Sequence, residues 1–72
     1  MGENFNKSLS KIDRIKSSNN YARFFIYHST SENIISITHS GLTSIGFETL
    51  IETITYLDVT TNGSNVTSII FS

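Results

Sequence analysis

Cysteine, proline and tryptophan are all missing from this 72-residue chain, and each absence removes a class of explanation. Without cysteine there is no disulfide framework and no thiolate cluster for a structural metal, so the usual staples of a very small domain are excluded. Without proline, no turn is pre-set and no helix is obliged to stop. Charge is scarce as well, at 15% of residues. No apolar run approaches the roughly 20 residues of a membrane-spanning helix. The basic N-terminus lacks an apolar segment and a small-residue cleavage site, so no secretory signal is read. The expected compartment is the cytoplasm, away from the membrane.

What remains is rich in serine, threonine, asparagine and isoleucine, with 38% hydrophobic and 11% aromatic residues. A chain this short makes one domain and buries only a modest share of its surface. Either a well-packed core holds it, or a protein partner or second copy completes that core. The charges are segregated. Through residue 23 there are five basic residues (Lys7, Lys11, Arg14, Lys16, Arg23) and two acidic ones, a net of +3. From Phe24 onward there are only Glu32, Glu48, Glu52 and Asp58, a net of −4. Phosphate recognition needs basic residues spread over the binding surface. The charge distribution therefore argues against nucleic-acid binding by the folded part.

Residues 1–20 read as a basic amphipathic helical arm, with Phe5, Leu9, Ile12 and Ile15 near helical spacing and Ser17-Ser18-Asn19-Asn20 ending it. Residues 21–72 read as a small α+β domain. Residues 21–27, rich in aromatics, predict a strand. Ser29-Thr30-Ser31-Glu32 has the form of a capping box, and Gly41 the place of a C-terminal stop. Together they predict a helix over 29–40. Phe47, Leu50, Ile51 and Ile54 recur at helical spacing and predict a second short helix over 46–52. Asn62-Gly63, between two β-branched runs, predicts a hairpin over 53–71. NIISITHS (33–40) and NVTSIIFS (65–72) share Asn, Ser, Ile and Ser in register. In so Ile/Ser/Thr-rich a chain, that echo reads as coincidence.

The chemistry-bearing residues are few. His28 and His39 stand alone, without the further spacing of a metal site, and no nucleophile elbow or glycine-rich phosphate loop occurs. The segment Phe25-Ile26-Tyr27-His28-Ser29-Thr30-Ser31, followed by a helix ending at Ser40-Gly41-Leu42, resembles the opening of the ADP-ribosyltransferase-like fold. The resemblance covers residues 22–46. It implies that His28 and Thr30 contact NAD, with Asn33 and Ile37 on the helix. Ser29 stands where that family has glycine, and no later glutamate matches its catalytic one. The residues themselves call for no cofactor and lean against an enzyme. The expectation is a small non-enzymatic module that binds a protein partner or a second copy of itself. A remnant NAD-binding domain is the alternative.

Overall fold

β-Branched and aromatic residues decide the architecture. The computed structural model describes residues 10–72. One short helix, α1 (Lys11–Lys16), precedes strands β1 (Ala22–Tyr27), β2 (Ile34–Thr43), β3 (Gly46–Tyr56) and β4 (Val66–Phe71). The strands pair antiparallel in chain order. Each lies beside its neighbour in sequence, and β1 and β4 are the edges.

The α+β expectation is overturned: the described residues are mainly a four-stranded antiparallel sheet. Residues 29–40, expected as a helix, form a loop and most of β2. Ile34, Ile35, Ile37 and Thr38 are β-branched and stiff at χ1, which suits a pleated strand better than a helical turn. The expected cap does not form either, because the Thr30 and Ser31 N–H groups donate to His28 Nδ1 instead. Gly41 stops nothing. It lies in β2 under α1, where a Cβ would press on the Ser18 side chain and come within 3.1 Å of the Ile15 carbonyl oxygen. Residues 46–52, expected as a second helix, begin β3. The apparent stripe splits by period two, with Leu50 and Ile54 on one face and Phe47 and Ile51 on the other.

The other expectations fall closer. The strand over 21–27 is β1, and the hairpin over 53–71 is the β3–β4 hairpin, although β3 starts at Gly46. Within the expected arm, α1 is capped by Ser10, whose Oγ accepts from the Asp13 N–H at 3.3 Å. Phe5 and Leu9 of the arm lie outside the described residues. No described helix is long and apolar enough to cross a membrane.

α1 docks on β2 and β3 at the end of the sheet that carries the β2–β3 turn. There Ile15 is fully buried, and Arg14 grips Glu48 with two hydrogen bonds of 2.9 and 2.7 Å. Among the described residues Ile15 and Leu50 are the only buried hydrophobic side chains. The molecule is thin and long, 46 × 20 × 15 Å. It is one sheet with a helix over part of one face.

The two hairpins are built alike. Tyr27 pairs with Ile34 at the head of the first, and Tyr56 with Val66 at the head of the second. In each the next residue of the returning strand, Ile35 or Thr67, is skipped by a bulge. Past the tyrosine, His28 N–H donates to the Asn33 carbonyl (2.9 Å), and Leu57 N–H to the Asn65 carbonyl (2.8 Å). Asn33, Ser36, Ile37 and Ser40 thus occupy the places of Asn65, Ser68, Ile69 and Ser72. The residues shared by 33–40 and 65–72 stand at equivalent places in a structural repeat of two hairpins.

Candidate functional site

The sequence pointed first to the β1–β2 loop. His28 and Thr30 are indeed close, but they serve the loop itself. His28 Nδ1 accepts from the N–H groups of Thr30 and Ser31, both at 3.2 Å, and Thr30 Oγ1 lies 3.2 Å from the same nitrogen. The loop then locks onto the β3–β4 loop. Asn33 Nδ2 donates to the carbonyls of Val59 (2.8 Å) and Thr61 (2.7 Å), and its Oδ1 accepts from Gly63 N–H (3.0 Å). Gly63 reaches that position with φ at 74°, a conformation glycine adopts without strain. Ser31 Oγ donates to the Val59 carbonyl, and Glu32 N–H to Asn62 Oδ1. Asp58 organises the far loop, and hydrogen bonds first from Thr60 and then from Thr61 hold its carboxyl below the usual range. The helix N-terminus that the NAD reading placed beside His28 is not there.

A second polar cluster lies under the helix-covered face. His39, 3% exposed, lies 2.7 Å from the Tyr21 hydroxyl through Nδ1 and 2.8 Å from Glu52 Oε1 through Nε2. An ionised carboxylate can only accept, so the Nε2 proton points to Glu52, and Nδ1 of a neutral ring accepts from Tyr21. The Tyr21 ring is nearly parallel to the imidazole, and Phe71 lies tilted beside it. The cluster is closed. No buried side-chain nitrogen or oxygen among the described residues lacks a partner. Nor do these residues gather three or more His, Asp or Glu into a metal-holding group. The cluster went unnoticed in the sequence because helices over 29–40 and 46–52 scatter His39 and Glu52. Period-two alternation places both on one face with Leu50.

An open groove of about 420 Å³ runs between the end of α1 and the β2–β3 turn, lined by Arg14, Ser17, Ser18, Asn19, Leu42, Thr43 and Ser44. His28 and Thr30 are at the opposite end of the sheet.

The largest feature is the sheet face turned away from α1. In register across the strands it carries Ala22, Phe24 and Ile26 of β1, then Ser36, Thr38, Ser40 and Leu42 of β2. It continues with Phe47, Thr49, Ile51, Thr53 and Thr55 of β3, and Ser68 and Ile70 of β4. None of these is charged. Phe24, Ile26, Leu42, Phe47, Ile51 and Ile70 are between 42% and 67% exposed. Along β3 every residue of this face is exposed, while every residue of the other face is buried or half-buried. A solvated sheet face ordinarily alternates in polar and charged side chains. This one has neither a charge nor a cover among the described residues.

No family model matches the chain, and no curated protein or solved structure matches it.

Proposed function

We propose that this chain is a small non-enzymatic interaction module that binds protein through its uncharged sheet face, with a second copy of itself as the partner. The observation that carries this reading is the face itself: six exposed apolar side chains among serines and threonines, with no charge. Contiguous apolar surface of this kind marks interaction sites, because monomers rarely leave large patches in water. Two identical faces can stack without bringing like charges together. Sheets pack face to face at about 10 Å, which would bury Phe24, Phe47 and Ile51 between them.

The total surface supports the same reading. The chain exposes 5081 Å², about 600 Å² more than the roughly 4,500 Å² of a compact 8.0 kDa monomer. That excess approaches the ~800 Å² each partner gives to a standard interface. The cytoplasm is the compartment proposed, and no described helix is long and apolar enough to cross a membrane.

Sedimentation and thermal melting test the proposal. The expected result is a mass above 8.0 kDa and a melting midpoint that rises with concentration. Ile51→Lys sets an ammonium at the middle of the face and should abolish the face-to-face contact while the chain stays folded. A wild-type monomer whose melting does not depend on concentration would refute the reading.

A further inference from the structure

Resting on the reading that the chain self-associates, we infer that copies also join edge to edge, β4 of one against β1 of the next, so that the sheet continues from copy to copy. The template for this contact is inside the molecule. The repeat superposes β2 on β4 and β3 on β1, through Ile37 with Ile69 and Tyr56 with Tyr27. β2 has a partner on both sides, β1 and β3, whereas β4 has only β3 among the described residues. Within the chain Ile37 faces Glu52, Thr38 faces Ile51 and His39 faces Leu50. Carrying that seam over by the repeat sets Ile69 opposite Arg23, Ile70 opposite Ala22 and Phe71 opposite Tyr21 of the next copy.

The backbone suits this register. Ile51 and Ser72 exchange both of their backbone hydrogen bonds at 2.9 Å. Alternation along an antiparallel ladder then turns the N–H and C=O groups of Ile69 and Phe71 away from β3. Carried strand by strand across the sheet, the same alternation turns those of Arg23 outward from β1, where they meet Ile69. The side chains agree too, since Phe71 and Tyr21 share the helix-covered face, and Ile70 and Ala22 the uncharged one. β4 carries no charge and no proline, the devices that normally protect a sheet edge.

The repeat selects this pairing over β4 against β4. Only β4 against β1 reproduces a seam the molecule already contains, the one between β2 and β3, and it sets Arg23, the one charge on either edge strand, opposite the uncharged β4.

Because the chain has no cysteine, an introduced pair reports the contact directly. Ala22→Cys with Ile70→Cys, on opposite edges of one sheet, cannot close within a copy. Under mild oxidation the proposal expects a ladder of covalent trimers and longer species. Adding Ile69→Pro should abolish the ladder, while adding Ile69→Ala should keep it. Since the Ile69 N–H points away from β3, proline removes no internal hydrogen bond, and far-ultraviolet circular dichroism verifies the fold. Absence of a ladder from the cysteine pair, with a wild type that still sediments as a fixed dimer, overturns the edge contact and leaves the face contact standing. Efficient dimerisation of Ile70→Cys alone, with no longer species from the pair, assigns β4 to β4 and also overturns it. A monomeric wild type overturns both.

Discussion

The two ends of this sheet are held by opposite means. At the β2–β3 turn, α1 buries Ile15 against β2 and β3, and the Arg14–Glu48 pair fixes it from the side. At the other end no large apolar side chain among the described residues is buried, and two loops are tied by Asn33, Ser31 and Asn62. One end is built from shape and burial, the other from hydrogen-bond geometry. The contrast shows how a chain with little core still specifies one register. Burial fixes one end and polar side chains the other, and the apolar residues between them stay on a face that no described residue covers.

The comparison breaks first at the helix. Ile15→Ala should cost about 2–5 kcal/mol, the usual range for a fully buried aliphatic truncation. With Leu50 as the only other buried hydrophobic residue among those described, the helix should undock and the urea midpoint fall steeply. Ile15→Val, which leaves most of the contact, should cost about 0.5–1.5 kcal/mol. A urea midpoint for Ile15→Ala within error of wild type would mean that α1 does not stabilise the sheet.

At the loop end the expected effect is smaller and local. Asn33→Ala removes three hydrogen bonds and leaves the Val59 and Thr61 carbonyls and the Gly63 N–H without them, for about 1–3 kcal/mol. Hydrogen exchange separates this from general unfolding. Amides of residues 58–64 should exchange faster, while those of Gly41 and Glu48, which face each other across the β2–β3 ladder near the far turn, keep their protection. Equal acceleration at both ends would show that the ends are not independent, and the comparison would fail.

Much of the loop end could be read from the sequence, and little of the helix end. Asn62-Gly63 between two β-branched runs marked the second hairpin, and the aromatic run over 21–27 marked β1. The first hairpin was missed because Ser29 and Glu32 have the spacing of a helix cap, and the loop uses those positions differently. His28 takes the amides that a helix start would leave free. Gly41 misled for a related reason: glycine after a putative helix reads as a stop, whereas here it is the strand position over which α1 must pass. That requirement depends on a residue 26 positions away, Ile15, and no local window contains it. The uncharged face was equally hidden, because it is assembled from alternate residues of four strands. The shortage of core was visible from length and composition.

The smallest effect should come from acid, and it tests whether the ion pair belongs with burial at the helix end. Hydrogen bonds from Arg14 and then Thr43 pull the Glu48 carboxyl from 4.5 down to about 2. A carboxyl depressed in the folded state stabilises fully above its unfolded pKa, and that contribution is lost as pH falls through the folded one. The window is therefore pH 4.5 down to about 2. Asp58 at the other end is shifted the same way, so the acid response of the wild type alone mixes both ends. Comparison with Glu48→Gln separates them, because Asp58 is common to both proteins and its share cancels. The wild type should melt above Glu48→Gln at neutral pH, with the gap closing as pH falls through the window. The gap should be modest, since water reaches both partners and screens the pair. A gap still undiminished at pH 2 would place the value of Glu48 in its packing against Thr43 and the helix, and would move the ion pair out of the account of this end.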